Sequence, residues 1–314
     1  MLIGIDGGGT KTALVLTTDD GHIISKYTGK ATNPADIGVE ECAIRLEKQL
    51  DALLKDFGGR EIEIRSIYAG IAGSANDKTK NALYARLRAL LPNCASIDNG
   101  SDAFNALYGE SDDGYGITLI AGTGSSSFVL TESGMTQVGG WGYLIDDAGS
   151  GFSVGKAALM AAYRSFDGRG EKTTLEEMCL DKLGINFRDA IPQIYEGGKH
   201  YIASFARTAF EAAEKGDEIA KAIIDDAAEA LCVHLRACLT HVKSFPTVCV
   251  AAGGLITNDK FFGMIQKKMG DDLNRMRILR PVLPPVYGAL VKAARNIGIK
   301  TDKTFKENFL NDFE

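Results

Sequence analysis

Two apolar periodicities alternate along the first part of the chain, and together they predict an α/β fold. Three runs with β-type alternation come first, LIGID, TALVLTT and HIISKYTG, which predict an antiparallel meander. A helical stripe follows from about Asp36 to Phe57. After it come a strand (IEIRSIYAGIAG), a helix over about 77–91, a short strand (CASID) and a short helix (DAFNALYG). The order βββαβαβα predicts a mixed sheet covered by helices.

The same pattern restarts at residue 117. ITLIAGTGSSSFVL matches the opening run IGIDGGGTKTALVL in apolar alternation and in the position of its glycine turn, with Ala121 in the place of Asp6. Such self-similarity indicates that one hairpin unit is used twice. The chain then reads as helical from about 151 to 245. It closes with a strand (PTVCVAAGG), a helix, a strand (RILR), a helix (PVYGALVKAARNIG) and an amphipathic tail (FKENFLNDFE).

The glycine turns are the first candidate chemistry. GGGTKT is not a Walker loop, because Thr10 stands before Lys11 and a β-type run follows where a helix is required. It also lacks the third glycine of the dinucleotide fingerprint, which must open a helix as well. A glycine turn between two strands can still present backbone N–H groups to an anion. The pair of turns therefore predicts a nucleotide held by its phosphates, with one turn for each phosphate group.

Composition narrows the class of protein. The 314 residues are 45% hydrophobic and 24% charged with a formal charge of −6, which is typical of a globular protein long enough for two domains. A nucleic-acid binder would carry a basic face, so we expect no nucleic-acid partner. No run approaches the roughly 18 apolar residues of a membrane span, and no leader precedes the first strand. We therefore expect a cytoplasmic protein with no membrane partner.

The six cysteines and four histidines give no metal or redox motif. No cysteine pair has C-x-x-C spacing and most lie within apolar runs, so we expect reduced, buried thiols. His234 and His241 could share a helix face, but no carboxylate or cysteine stands at ligand spacing. We expect both histidines to be solvated or packed in the core.

Three glycine motifs resemble those of the superfamily of actin, the heat-shock ATPases and the sugar kinases. The phosphate-1, phosphate-2 and adenosine motifs correspond to DGGGTKT (6–12), AGTGS (121–125) and VAAGGL (250–255). The resemblance implies two actin-like (ribonuclease-H-like) lobes, each a mixed sheet with a β-hairpin start, with nucleotide and sugar in the cleft between them. The lobes would span 1–115 and 116–314, and packing of the last helices back on the first lobe stays open.

Within that superfamily, three segments resemble the N-acetylglucosamine kinases, which are grouped with the ATPases that activate benzoyl-CoA reductase and hydroxyacyl-CoA dehydratases. The segments are ATNPADIG (31–38), DAFNALYG (102–109) and GGWGYLIDDAGSGFSVG (139–155), and the third is the most specific. The resemblance implies a kinase that uses ATP and Mg²⁺ to phosphorylate the 6-hydroxyl of N-acetylglucosamine or a close relative, such as N-acetylmuramic acid or glucosamine.

The resemblance also implies nucleotide-binding roles. Asp6 would hold Mg²⁺ through water, because Mg²⁺ keeps several of its waters. The alternative is that Asp6 is only a turn aspartate, hydrogen-bonded at the end of its strand. Lys11 would either reach a phosphate or be a surface residue of the second strand. The expected ATP-binding residues are Gly8, Gly9, Thr10, Lys11, Gly122, Thr123, Gly124, Ser125, Gly253 and Gly254.

Asp102 is the expected catalytic residue. As general base it would accept the proton of the sugar hydroxyl that attacks the γ-phosphorus. The alternative is that Ser101 or Asp102 only caps the following helix. Asp98, at the predicted end of CASID, is the second candidate because the count back from GTGS is ambiguous by one residue against the family pattern.

Besides Asp102, two side chains are expected to bind the sugar. Asn33 would bond ring hydroxyls, although an N-P dipeptide is also a turn signal. Asp147, ahead of its neighbour Asp146, would bond sugar hydroxyls too. The alternative for this pair of acids is a solvated loop.

Two glycines complete the expected sugar site. Gly139 and Gly140 would form the wall beside the acetamide. A lone tryptophan is more often core than ligand platform, so Trp141 is not counted as a contact.

Two other classes of protein share these motifs. An activator ATPase bridges an iron–sulfur cluster with cysteines near the second phosphate motif, but the chain has no cysteine between Gly114 and Ala157. A non-catalytic sensor would be expected to lose Asp6 or Asp102, or to carry a DNA-binding extension ahead of the first strand. The cysteine-rich zinc loop that is usual in the repressor/sugar-kinase family is also missing. Relatives are commonly dimers, so a homodimer stays open.

Overall fold

The computed structural model describes residues 1–74 and 76–313. The chain divides into two compact units. Unit 1 comprises Met1–Tyr115 and Pro281–Glu314, and unit 2 comprises Gly116–Arg280. Glu314, the last residue of the predicted tail and of the predicted second lobe, lies outside the described residues.

Each unit contains one five-stranded sheet. In unit 1 the strands are β1 (Leu2–Gly7), β2 (Lys11–Thr17), β3 (Ile23–Lys30), β4 (Ser66–Ile71) and β5 (Ser96–Gly100). In unit 2 they are β6 (Gly116–Ala121), β7 (Ser125–Thr131), β8 (Gly134–Val138), β9 (Thr247–Ala252) and β10 (Met276–Leu279).

Helices flank both sheets. The first four are α1 (Pro34–Ile37), α2 (Val39–Leu54), α3 (Asp77–Leu90) and α4 (Asn105–Glu110). Unit 2 contributes α5 (Gly151–Asp167), α6 (Leu175–Leu183), α7 (Ile191–Ser204), α8 (Ala206–Glu214), α9 (Glu218–Leu239) and α10 (Asp259–Met269). The chain ends with α11 (Pro285–Asn296) and α12 (Lys303–Phe313), both in unit 1, and short 3₁₀ helices occur at Lys55–Phe57, Gly59–Glu61, Asp102–Phe104 and Gly270–Asn274.

The two sheets have the same topology. Unit 1 has the order β3-β2-β1-β4-β5 and unit 2 the order β8-β7-β6-β9-β10. In each, the first strand pairs antiparallel with the second and parallel with the fourth. The prediction of an α/β fold built from two hairpin-first mixed sheets is confirmed, and the sequence repeat has a structural counterpart.

Strand β1 is buried on both faces of the unit 1 sheet. Ile3 and Ile5 face a core that includes Leu46 and Leu50 of α2. Leu2 belongs to a second cluster on the other side, which is built from residues of β2, α11 and α12. The C-terminal segment therefore completes the core of unit 1. The expected second lobe, 116–314, must accordingly end before residue 281.

Three predicted elements differ from the structure. The single helix from Asp36 to Phe57 is broken at Gly38, whose φ of 80° and ψ of 156° are not helical. The strand IEIRSIYAGIAG is ordered as a strand only over Ser66–Ile71. Strand β5 continues past CASID to Gly100, so Asp98 lies inside the strand and pairs with Tyr68 instead of ending it.

The cysteines and the apolar character of the helices can be compared with the expectations from composition. All six cysteines are free and buried, as expected for packed thiols. In the described part of the chain, no helix is both long and apolar enough to cross a membrane.

Helix α11 approaches α4 so closely that one position requires glycine. A Cβ added at Gly288 would lie 1.6 Å from the carbonyl oxygen of Asn105. We expect Gly288→Ala to lower the free energy of unfolding by about 1–3 kcal/mol, because overpacking forces backbone shifts. Gly263→Ala is the matched control, since this glycine of α10 has no atom within 4 Å of an added Cβ.

The control should be neutral or stabilising by about 0.5–1 kcal/mol, because alanine favours helix over glycine. Calorimetric unfolding of both variants measures the difference. Equal effects from the two substitutions would contradict the tight α4–α11 contact.

Candidate functional site

The first glycine turn joins β1 to β2 in unit 1. Gly8 donates its N–H to the carbonyl of Lys11 (2.9 Å), and its carbonyl accepts the N–H of Thr32 (3.3 Å). Because the C=O and N–H of a trans peptide point in opposite directions, the N–H of Gly9 points away from Thr32. Within the described residues, the N–H groups of Gly9 and Thr10 have no protein acceptor. The turn therefore has two free N–H donors, those of Gly9 and Thr10. Gly8 was also expected to bind ATP, but its N–H is already bonded to Lys11.

Asp6 stands at the end of β1, directly before this turn. The side-chain amide of Asn105, which is fully buried in α4, donates to Asp6 Oδ1 at 2.6 Å. Burial raises the pKa of Asp6, while the bond from Asn105 and the positive charge of Lys11 act in the opposite direction. Lys11 is exposed but lies within electrostatic reach of Asp6. Asn105 is a residue that the sequence argument missed, although it lies inside the quoted segment DAFNALYG.

Asp102 is the first residue of the 3₁₀ helix Asp102–Phe104, and Ser101 is the residue that caps it. Ser101 Oγ accepts the N–H of Ala103 at 3.3 Å. Burial, and next the charge of Asp6, raise the pKa of Asp102 from 3.8 to about 6, and weaker hydrogen bonds from Ala103 and Ser101 lower it. Asp6 and Asp102 are therefore close enough for each to feel the charge of the other.

Asp98, the second candidate base, is engaged elsewhere in unit 1. Its Oδ2 accepts the side-chain amide of Asn296 at 3.2 Å and lies 3.9 Å from Lys292 Nζ. Both partners belong to α11. This arrangement gives Asp98 a role in holding α11 to the sheet, and the assignment of the base to Asp102 stays a prediction.

Asn33 lies beside the first turn but uses its polar atoms locally. Its Oδ1 accepts the N–H of Ala35 at 3.0 Å, which caps α1, and its Nδ2 donates to Asp36 Oδ2 at 2.7 Å. A Cβ at Gly9 would be 4.0 Å from Asn33 Nδ2. These contacts are those of a residue that forms a turn and caps a helix. A sugar contact by Asn33 stays a prediction.

The second glycine turn joins β6 to β7 in unit 2. The carbonyls of Gly122 and Thr123 accept the first N–H groups of α5, from Gly151 (2.7 Å) and Phe152 (3.0 Å). By the same peptide geometry, the N–H groups of Thr123 and Gly124 point away from α5. Neither has a protein acceptor within the described residues.

The other two residues of the second motif that are expected to bind ATP, Gly122 and Ser125, already use their N–H groups. Gly122 donates its N–H to the carbonyl of Gly124 at 2.9 Å. Ser125 donates its N–H to Asp147 Oδ1 at 2.7 Å. The free donors of this motif are therefore those of Thr123 and Gly124.

Asp147 is held directly against this turn, whereas its neighbour Asp146 is only half-buried. The Asp147 side chain is 5% exposed, and Lys199 Nζ lies 3.6 Å from its Oδ2. Among the described residues, Oδ2 is buried without a hydrogen-bond partner. Asp147 is therefore buried and does not lie in a solvated loop, and one of its carboxylate oxygens has no hydrogen-bond partner within the described residues.

Gly139 and Gly140 pack where no side chain fits. A Cβ at Gly139 would lie 2.5 Å from the ring of His234, and one at Gly140 would lie 2.6 Å from the carbonyl oxygen of Ser125. His234 is 8% exposed, and burial lowers its pKa. His234 is thus a core histidine, and its ring packs against Gly139.

Trp141 does not follow the expectation for a lone tryptophan. It is 60% exposed, and Leu144 and Ile145 beyond it are 82% and 84% exposed. The glycine-rich segment thus presents apolar side chains on the surface of unit 2, while its acid Asp147 turns inward.

The third glycine motif meets the second turn at the end of β9. A Cβ at Gly253 would lie 2.4 Å from the carbonyl oxygen of Ala121, and the φ of Gly253 is +111°. Gly254 is also close, since its N would lie 3.8 Å from a Cβ at Gly122. Unit 2 thus brings the second turn, Asp147, Gly139, Gly140 and the adenosine motif together, and unit 1 does the same for Asp6, the first turn, Asn33 and Asp102.

Comparison with known proteins identifies the family. The chain belongs to the BadF/BadG/BcrA/BcrD ATPase family, which matches it over residues 3–293. The N-acetylmuramic acid/N-acetylglucosamine kinase of Clostridium acetobutylicum is 32% identical over 299 residues, covering 93% of this chain and 97% of the relative. The N-acetyl-D-glucosamine kinase of Dictyostelium discoideum is 29% identical over 311 residues, with coverage of 93% and 97%.

A solved structure shares the fold. A protein of Chromobacterium violaceum, described provisionally as an N-acetylglucosamine kinase, superposes with a TM-score of 0.67 at 24% identity. The match covers 92% of this chain and 97% of that one. The family inferred from the three segments is confirmed.

The raised pKa of Asp102 predicts a dependence of stability on pH. The folded protein binds the proton of Asp102 more tightly than the unfolded chain does. Protonated Asp102 therefore stabilises the fold below about pH 4, and this stabilisation is lost as the pH rises through about 6. The asparagine side chain of the Asp102→Asn variant does not titrate, so the variant does not lose this stabilisation. The free energy of unfolding of the variant should therefore rise relative to that of the wild type between about pH 4 and about pH 6, and the difference should stay constant above about pH 6. The gain should be at most about 3 kcal/mol, from 1.36 kcal/mol per unit of pKa.

Denaturant unfolding at a series of pH values, without nucleotide or Mg²⁺, measures this difference. The low-pH samples serve as the internal control. A difference that is the same at pH 4 and pH 8 would contradict the buried, charge-coupled carboxyl.

Proposed function

We propose that this protein is an ATP-dependent amino-sugar kinase. It would transfer the γ-phosphate of ATP to the 6-hydroxyl of N-acetylglucosamine or of a close relative, N-acetylmuramic acid or glucosamine. Membership of an ATPase family and the names of its relatives support the proposal. The observation that carries it is Asp102, a carboxyl with a pKa of about 6 placed beside Asp6 in the unit that holds the first turn.

Asp102 would act as the general base. With a pKa of about 6 it is mostly ionised at neutral pH and still basic enough to take a proton. The sugar oxygen would attack the γ-phosphorus, the bond from that phosphorus to the bridging oxygen of ADP would break, and the hydroxyl proton would pass to Asp102. Positioning and charge stabilisation would supply the rest of the catalysis, as in other phosphoryl transfers.

The free backbone donors would bind the phosphates. Gly9 and Thr10 would serve the γ-phosphate, and Thr123 and Gly124 the β-phosphate, because these are the turn amides without a protein acceptor among the described residues. Backbone donors held in a fixed turn need no reorganisation when charge develops on the phosphoryl oxygens. Gly253 and Gly254 would let the ribose and adenine lie against the backbone.

Asp6 fits the requirements of Mg²⁺. The cation takes oxygen ligands and is usually bound by one or two carboxylates with substrate phosphates and waters. One oxygen of Asp6 is fixed by Asn105, which orients the other. The described residues contain no group of three acidic, histidine or cysteine side chains for an all-protein cage, so water and phosphate would complete the shell. Bound Mg²⁺ supplies neutralisation of phosphate charge.

Asp147 would receive a sugar hydroxyl. Its buried Oδ2 lacks a partner among the described residues, and a buried acceptor left unpaired is costly until a donor reaches it. Gly139 and Gly140 would form the wall beside the acetamide, and Asn33 would give up part of its cap to reach the ring. We place the activity in the cytoplasm, where ATP is available.

A panel of acceptors tests the proposal. With ATP and Mg²⁺, we expect turnover of N-acetylglucosamine or N-acetylmuramate, weaker turnover of glucosamine and little of glucose. Asp102→Asn should lower kcat by a factor of about 10² or more, because an amide cannot accept the proton. Coupled detection of ADP gives the rates.

Asp98→Asn is the matched control, since the same change at a carboxyl bound to α11 should leave kcat within a few-fold of the wild type. If no sugar is turned over while ATP hydrolysis persists, the activator or sensor alternatives return. If Asp98→Asn is the inactive variant, the base has been assigned to the wrong carboxyl.

A further inference from the structure

Lys199 is a lysine of unit 2 with no assigned role. It follows Gly198, whose φ of 60° and ψ of −156° interrupt α7. This backbone conformation is open essentially only to glycine. The break places Lys199 at the start of a new helical run.

The ammonium group of Lys199 lies over the second glycine turn. A Cβ at Gly124 would be only 2.8 Å from Lys199 Nζ. The Nζ atom also lies 5.5 Å from the centroid of the Tyr143 ring, a cation–π contact that holds the side chain in place. The Lys199 side chain is 29% exposed, so its charge remains open to solvent and to a ligand.

The donors of Lys199 are unused. Asp147 Oδ2 is 3.6 Å away, which is too far for a hydrogen bond. Among the described residues, Lys199 Nζ donates no hydrogen bond, although other lysines of unit 2 do, for example Lys182 to the carbonyl of Ser204 at 2.6 Å. Asp147 therefore balances the charge of Lys199 without consuming its N–H groups.

Two backbone donors complete the arrangement. The N–H groups of Thr123 and Gly124 have no acceptor in the described part of the chain and point away from α5. An ammonium beside two unpaired turn amides is a donor set suited to a multidentate oxyanion such as phosphate.

We propose that Lys199 binds the β-phosphate of ATP, together with the N–H groups of Thr123 and Gly124. The inference rests on the proposed function only in that a nucleotide occupies the second turn; it does not require that a sugar be phosphorylated. Lys199 acts as a point charge that neutralises phosphate charge at the turn. Its contacts with Asp147 and Tyr143 hold the ammonium group beside the turn.

Calorimetric titration with ADP and with adenosine tests the proposal, since only ADP carries phosphates. Lys199→Met keeps the length of the stem and removes the charge. It should weaken ADP binding about ten- to hundredfold, which is typical for loss of a hydrogen bond to a charged group, and should change adenosine binding by less than twofold. Lys199→Arg should restore most of the ADP affinity.

Lys182→Met is the matched control. Lys182 also lies over an aromatic ring, 4.7 Å from the centroid of Phe205, but its ammonium is bound to a backbone carbonyl. Its ADP affinity should equal that of the wild type. Thermal unfolding of each variant separates loss of binding from loss of fold.

Three results would overturn the proposal. Unchanged ADP affinity in Lys199→Met removes the phosphate contact. A rise in KM for N-acetylmuramate alone, with ADP binding intact, assigns the ammonium to the carboxylate of an acidic sugar. A rise in KM for every sugar, again with ADP binding intact, makes Lys199 a residue that acts through Asp147. If ADP binding falls as expected but no sugar is turned over, the phosphate contact stands and the kinase proposal fails.

Discussion

The candidate site in each unit depends on one backbone constraint: the carbonyls of a glycine turn are tied to neighbouring backbone, so the N–H groups of the same peptides point the other way. In the first turn the carbonyl of Gly8 is bound by Thr32, and in the second the carbonyls of Gly122 and Thr123 are bound by the start of α5. The N–H groups left without a protein acceptor lie on exposed or half-buried residues, so an anion can reach them.

The acidic groups of unit 1 illustrate a cost that function imposes on stability. Asp6 and Asp102 are both partly buried and both have raised pKa values, and the charge of Asp6 adds to the cost of charging Asp102. Asn105 offsets part of this cost at Asp6. Carboxyls whose pKa values are raised in this way cluster at functional sites, so the pair is a candidate functional site of unit 1.

The sequence predicted the repeated hairpins and their glycine turns because both depend on local pattern, namely strand alternation and turn glycines. Asp102 was selected by its position within one segment, and its role stays a prediction. The sequence did not predict which amides of a motif remain free. That depends on contacts such as Ser125 N–H to Asp147 Oδ1, which join residues far apart in the chain. The same is true of Asn105 and Lys199, whose partners are set by packing between elements. The helix break at Gly38 and the exposure of Trp141 were also missed, because propensity is only a weak guide where tertiary contacts decide.

The most direct test of the account is an amide-resolved NMR titration of the isotopically labelled protein with the magnesium complex of a non-hydrolysable ATP analogue, with adenosine as reference. The account predicts downfield shifts of the amide protons of Gly9, Thr10, Thr123 and Gly124 that adenosine does not produce. It predicts smaller changes for the amides of Gly8, Gly122 and Ser125, which already have protein acceptors. If the analogue binds and these four amides shift no more than the paired ones, the turns are not the phosphate ligands and the account is wrong.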